Sequence, residues 1–394
     1  LREQKTTAED GVPQAWFGLP VTVSGVNALV GSRNAAVNGS SIQGAVYAFV
    51  RIRGVWKQTQ KLVASDGVAG DQFGTSVAIF GNTAVVTAPL ARVSGNTWQG
   101  AVYVFELSNG FWKQTQKLVA KTGAAFSTLG TGTGLTSEYL FVGAGGVFNQ
   151  GVYAPRRVHV FKFIPGKAGG KWTESQVLET PAPDDPISSF GTAIALSGKS
   201  ALVGARASRV GNNLGQGMVY GYTESNGTWS LTDKLTGSDS GARDNFGNSI
   251  AMSGAVAVMG APGAVINGNI SQGAVYVFNK SKAGRWTQVS KFTADDGDAI
   301  DLFGASVNLS DSSALVGAYG IQSYTGAAYL FQKKGNAWVQ ARRFSASDGV
   351  PGQIYGYSTA LDGATALVGA YAATVDGNEG QGAAYFYNRR GISG

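Results

Sequence analysis

Few residues in this chain have the chemistry for catalysis. There is one histidine, His159, and no cysteine. Disulfides, thiolate metal sites, Cys–His catalysis and multi-histidine metal centres are therefore excluded. A Ser–His–Asp relay has only His159 to draw on. That residue sits in "RRVHVFKF" at 156–163, an alternating pattern that reads as a strand with a structural imidazole. Asp184-Asp185 is a carboxylate pair of the kind glycosidases use, but the prolines of "TPAPDDPISS" make it an extended surface loop. "GTGTGL" at 130–135 is not followed by a helical pattern and is not read as a phosphate loop. One carboxylate set recurs in phase: Asp66 and Asp71, Asp239 and Asp244, Asp296 and Asp301. Each pair is a candidate metal site, calcium being the ion its oxygens would suit. The preferred reading is that these aspartates cap turns by accepting nearby backbone N–H groups, with no cofactor required.

Binding chemistry is better represented. Trp16 and Trp98 fall outside any regular spacing, each in a loop with no core to fill. Arg33, Arg92, Arg206 and Arg209 lie in comparable loops, and Arg156, Arg157 and Lys167 in an irregular stretch at 143–172. Arginine and tryptophan are the side chains most enriched at binding hot spots. Two uses compete: contact with a partner, or salt bridges from these arginines to the recurring aspartates. Net charge is +7 with a pI near 9.4. Much of the excess sits in one repeated segment (Lys57, Lys61, Lys113, Lys117, Lys171, Lys234, Lys291, Arg342, Arg343). With no known basic-aromatic module present, a nucleic-acid partner is not expected.

The elements that must position these residues are written as a repeat. Phe-Gly occurs at 17–18, 73–74, 190–191, 246–247 and 303–304, with degenerate copies Leu129-Gly130 and Tyr355-Gly356. About fifteen residues on come "GSR" at 31–33, "TAP" at 87–89, "GAG" at 143–145, "GAR" at 204–206, "GAP" at 260–262 and "GAY" at 317–319 and 369–371. A third landmark is "GAVY" at 44–47, 100–103 and 273–276, varied as "GMVY" at 217–220 and "GAAY" at 326–329 and 382–385; the third unit keeps "GVY" at 151–153. Within a unit, "TSVAIF", "TAVVTA", "GAVYVFEL" and "WKQTQKLVA" read as four strands joined by Gly/Asn turns and one longer loop. Four antiparallel strands repeated seven times give a seven-bladed β-propeller.

The fourth strand is a sheet edge, where charge deters edge-to-edge pairing. The tryptophans that open it, at 56, 112, 172, 229, 286 and 338, are in phase and expected to pack. The last unit, about 357–390, lacks this strand, while the chain opens on "LREQKTT" with Gln4-Lys5 in the place of its "QK". Residues 1–7 are therefore expected to complete the seventh blade, closing 1–394 into one domain. The chain opens on Leu1, so an upstream segment is expected, a signal peptide being one candidate. No apolar run approaches the roughly 20 residues of a membrane-spanning helix.

Phe-Gly, Gly-Ala-Pro and Gly-Ala-Val-Tyr in this order resemble the FG-GAP repeat of the integrin α-subunit propeller and of many bacterial exported proteins. The resemblance implies an extracellular, cell-surface or periplasmic binding scaffold, often carrying calcium in its blades. The family's calcium loop, D-x-D-x-D-G between Phe-Gly and Gly-Ala-Pro, is replaced by "FGN" at 80–82, "SGK" at 197–199, "SGA" at 253–255, "SDSS" at 310–313 and "LDGA" at 361–364, so that site is not carried over. We expect a non-catalytic scaffold for protein–protein contact or adhesion. The alternatives are a lectin stacking sugars on exposed in-phase tryptophans, so that a glycan partner is possible, and a propeller-based hydrolase. Strand direction puts the loops between second and third strands, and the linkers before Phe-Gly, on one end of the ring as the contact face.

Overall fold

The structure, a computed structural model, describes residues 2–145, 148–149, 152–153, 156–166, 169–181 and 188–388. Asp184, Asp185, Lys167 and Leu1 lie outside the described residues. Seven four-stranded antiparallel sheets form the ring. Blade 1 shows the pattern: Val21–Ser24, Asn27–Ser32, Ala45–Ile52 and Val55–Leu62, paired in that order. In blade 7, Arg2–Thr6 is the outer strand, with Gln4 opposite Phe386 and Lys5 opposite Tyr385. The N-terminal segment thus closes the ring as expected.

A sheet alone would leave two apolar faces wet; here the core lies between sheets. Each of seven buried clusters spans two neighbouring blades, as where Val21, Tyr47 and Trp56 of blade 1 join Leu367 and Phe386 of blade 7. Of the in-phase tryptophans, Trp56, Trp112, Trp172, Trp229 and Trp286 are buried and Trp338 is half-buried. They are packing residues, and the five buried ones have no face to offer a sugar. A glutamine clasp reinforces four of the seams. The Gln4 amide donates to Trp56 O (2.6 Å) and accepts from Trp56 N (2.9 Å), and Gln60, Gln116 and Gln176 hold Trp112, Trp172 and Trp229 in the same way.

The motif letters are contacts. The Phe of Phe-Gly meets the Tyr of Gly-Ala-Val-Tyr edge-on within its own blade, as in Phe17–Tyr47 at 5.4 Å and Phe246–Tyr276 at 5.4 Å. Such a pair adds about 0.5–1.5 kcal/mol beyond its burial. Blade 3 loses both partners at once, with Leu129 for the Phe and His159 for the Tyr.

That last assignment corrects the expectation from sequence. The "GVY" at 151–153 does not begin the third strand of blade 3; Arg157–Ile164 does, with His159 opposite Val142 as Tyr47 is opposite Val30. Val152–Tyr153 instead pairs with Phe148–Asn149 in a small separate ribbon. An insertion in this connection displaced the landmark.

Candidate functional site

The recurring aspartates are occupied within the fold. In two of the three pairs the first accepts from a third-strand tyrosine and a fourth-strand cation. Asp66 takes Tyr103 Oη at 3.0 Å and Lys117 Nζ at 2.5 Å, and Asp239 takes Tyr276 at 2.9 Å and Lys291 at 2.8 Å. The same trio recurs with Asp10 and with Asp348, and Arg343 pairs more loosely with Asp296 at 3.5 Å. Burial opposes the charge on Asp66, but the bonds from Lys117 and Tyr103 outweigh it and hold the carboxyl below its usual range. The second aspartates are buried and close the linker turn. Asp71 accepts Val68 N at 2.9 Å, Asp244 accepts Gly241 N at 2.8 Å and Asp301 accepts Asp298 N at 2.7 Å. Burial is the largest influence on these three and raises their pKa. The turn-capping reading describes them, and the fourth-strand cations are ion-pair partners as well as edge guards.

Asp66→Asn should lower stability by about 1 kcal/mol at pH 7, the low end for a bond to a charged group, because the carboxylate is half exposed. The folded-state pKa is depressed, so this contribution is present above the unfolded value of about 4 and is lost as pH falls through the lower folded value. Denaturation at pH 7 and at about pH 2.5 checks it: the gap between variant and parent should close in acid.

His159 is buried, with Nδ1 2.5 Å from Glu174 Oε1. Glu174 Oε2 also accepts Lys121 N at 2.9 Å. Burial opposes the Glu174 charge, yet these bonds hold its pKa down. The pair stands where blades 1, 2, 5 and 7 have the Tyr–Asp–Lys trio, and it is buried.

The loops between second and third strands and the linkers do share one end of the ring: Gln72 N and Phe73 N, entering blade 2, bond Ile42 O and Gln43 O in the loop of blade 1. Five of these loops, in blades 1, 2, 4, 5 and 7, have one frame, a small bridge such as Val93–Asn96 or Val210–Asn213. In blades 2, 4, 5 and 7 an Asn–Gln amide bond follows, as Asn96 to Gln99 at 2.8 Å. Their variation in sequence is thus variation of side chains on a constant backbone. Arg92 and Arg209 stand at equivalent, exposed positions on it, Arg92 lying 3.4 Å from Thr97. Trp98 is 40% exposed and meets Phe126 edge-on at the seam of blades 2 and 3. Arg156 fills the space beside Gly145. Arg157, partly exposed, pairs with Glu179 of the adjacent strand at 2.9 Å. The expected bridges from rim arginines to linker aspartates are also corrected: Asp66, Asp239 and Asp296 go to fourth-strand cations, which the in-phase strand brings closer.

One group gathers where blades 6, 7 and 1 meet. Arg33 lies over the Trp16 ring at 4.8 Å. Trp16 touches Tyr371 (5.7 Å), Tyr371 touches Tyr357 (5.2 Å), and Tyr357 touches Tyr319 (5.1 Å). Arg33, Tyr319 and Tyr371 occupy the same place in their units, the residue that ends the Gly-Ala-x landmark; Arg206 holds that place in blade 4, 3.4 Å from Asn248. Tyr357, 40% exposed, comes from the innermost strand of blade 7. Arg33 Nε is buried without a hydrogen-bond partner. Burial pulls its pKa below the usual arginine value, while the Tyr357 and Tyr371 phenols push the other way. The three tyrosines escaped the reading from sequence; the "GAY" variants, replacing Gly-Ala-Pro, were the signal for two of them.

The family model for the FG-GAP repeat matches residues 1–49, 56–105, 229–278, 286–331 and 338–387, more than half of the chain. The chain belongs to the FG-GAP repeat family. Among solved structures, a chain of "Crystal Structure of Mitotic Checkpoint Complex" is similar, with TM-score 0.53 and 10% identity over 98% of this chain and 93% of that chain. At that identity the likeness concerns the fold alone. No curated protein matches. In this FG-GAP propeller the turns between first and second strands are two-residue hairpins in six blades, such as those closed by Phe80–Thr83 and Ser253–Val256. Asp362, beside one such turn, accepts Gly25 N of blade 1. Among the described residues, no helix is long and apolar enough to cross a membrane.

Proposed function

We propose that this FG-GAP propeller is a non-catalytic, exported scaffold that mediates protein–protein contact at a cell surface or in an extracellular assembly. The FG-GAP propeller itself supports a protein-binding repeat scaffold. The observation that carries the reading further is the patch of Trp16, Arg33, Tyr319, Tyr357 and Tyr371. Its guanidinium lies partly desolvated on an aromatic face, so a partner carboxylate or carbonyl meeting its outer N–H groups would gain a bond without a large dehydration cost. Rigid rings and arginine on a fixed frame are the chemistry of hot spots.

Arg33→Ala and Tyr357→Ala should each weaken capture of a partner from native secreted material by about thirtyfold, or 2 kcal/mol. Retained circular dichroism and an unchanged melting temperature would show that folding is intact. Unchanged capture by both variants would sink the proposal, and a glycan array probed with the same proteins tests the lectin alternative.

A further inference from the structure

Blade 6 departs from the common loop frame. Its connection between second and third strands runs over 319–326, whereas blades 1, 2, 4, 5 and 7 use four more residues, as in 262–273 of blade 5. The missing residues are the small bridge and its amide clamp, and a left-handed turn at Gln322 and Ser323 takes their place. Shortening uncovers the linker that enters the blade and leaves a cavity of about 550 Å³. Asp296, Asp298, Asp301, Tyr324, Tyr329 and Arg343 are among its walls.

Tyr329 marks the difference most clearly. The equivalent tyrosines 47, 103, 276 and 385 each donate to the linker aspartate at 2.7–3.0 Å. Tyr329 is fully buried and lines the cavity, yet its hydroxyl makes no hydrogen bond that close, and the neighbouring Asp296 goes to Arg343. A buried hydroxyl without a close partner is costly unless something else meets it. Arg343 is the single cation among walls that carry three aspartates. Burial raises the Asp301 pKa, and the charges of Asp298 and Asp296 add to it, so a further positive charge here would be welcome.

We propose that this cavity takes one arginine or lysine side chain from a protein partner. Its charge repels anions. A volume of several hundred cubic ångströms suits a side chain, not a bare ion. Among the described residues, no three acidic or imidazole groups stand close enough to hold a metal ion. The half-exposed Tyr324 ring offers a cation a face to lie on, and the Asp296 and Asp298 carboxylates accept its N–H groups. The site lies on the same end of the ring as the Trp16–Arg33 patch, and the partner half of the inference rests on the protein-binding reading of that end.

The test is calorimetric titration of the full chain with blocked arginine, blocked lysine, blocked glutamate, spermidine and calcium chloride. Blocked arginine or lysine should bind with Kd of about 1 mM, the range for a ligand of that size. Asp296→Asn with Asp298→Asn should weaken this at least tenfold, while blocked glutamate gives no heat. Absence of heat with both basic ligands, or binding unmoved by the double variant, overturns the pocket. Calcium binding in preference to both makes it a metal site and also overturns it. Spermidine binding alone makes it a free-amine pocket and overturns the partner half. With a captured partner, the double variant should reduce capture while Arg33→Ala leaves the titration unchanged. If instead capture fails for the parent chain, the protein-binding reading falls and the partner half with it, whereas the titration still decides the pocket.

Discussion

Deletion of residues 1–7 is expected to lower the melting temperature by about 10 °C or more, or to leave the chain unable to fold. The segment supplies the whole outer strand of blade 7, with five pairs from Arg2 opposite Asn388 to Thr6 opposite Ala384. It also supplies Lys5 to Asp348 at 2.5 Å, the Gln4 clasp on Trp56 of blade 1, and Glu3, which accepts from Tyr387 at 2.9 Å. At about 1 kcal/mol net per ladder hydrogen bond the loss is about 5 kcal/mol, comparable with the total stability of an ordinary domain. The deletion would also bare the third strand as an edge and so promote association. Thermal melts and sedimentation check both effects, and the same segment attached behind residue 394 should restore much of the loss. A truncated chain melting within a few degrees of the parent would mean that blade 7 does not depend on its N-terminal strand.

Blade number, phase and closure could be read from sequence because every landmark is a physical contact that must recur wherever the contact does. Phe246 has to meet Tyr276, and Trp112 has to lie under the neighbouring sheet, so their spacing repeats. The reading failed where a contact is made once or is rewired. In blade 3 the Phe–Tyr pair became Leu129 and His159, and an insertion let "GVY" imitate a strand start. Which cation would reach Asp66 depended on the side of the blade from which Lys117 approaches, and charge alone cannot convey that. The patch of Trp16, Arg33, Tyr319, Tyr357 and Tyr371 combines residues from three units and three different positions within the repeat. The repeat connects only Arg33, Tyr319 and Tyr371, and only closing the ring puts the first blade beside the last. The cavity in blade 6 is a deletion, so its trace in the sequence is the length of a loop.

Gly273→Ala is expected to cost about 3–5 kcal/mol, among the larger effects a single methyl can have. Gly273 begins the "GAVY" of blade 5 and bridges to Phe303, the Phe of the next blade's Phe-Gly. Its φ is +90°, and a Cβ there would stand 2.1 Å from Phe303 O and 2.6 Å from Phe303 N. Both neighbours are backbone, so neither can swing aside. Relief requires parting blades 5 and 6, and with them the buried cluster of Val275, Phe303 and Tyr329. Gly268, in the loop of the same blade, provides the control: its φ is also +90°, but a Cβ there meets nothing within 4 Å. Gly268→Ala should therefore cost only the left-handed strain, about 1–2 kcal/mol. The difference between the two variants in denaturant midpoint isolates the seam from the backbone strain that they share. Equal costs would mean that the blades separate easily and that the motif glycines serve the turn alone. The seam of blades 2 and 3 shows how a side chain can be accommodated: Thr87 stands where other blades have the glycine of Gly-Ala-Pro, and its hydroxyl bonds Gly130 O at 2.8 Å. That exception concerns the glycine of Gly-Ala-Pro. At the place of Gly273 the same seam keeps a glycine, Gly100, whose Cβ would stand 2.4 Å from Leu129 N. An alanine there brings no hydrogen bond to offset the clash, which is why Gly273→Ala should part the sheets.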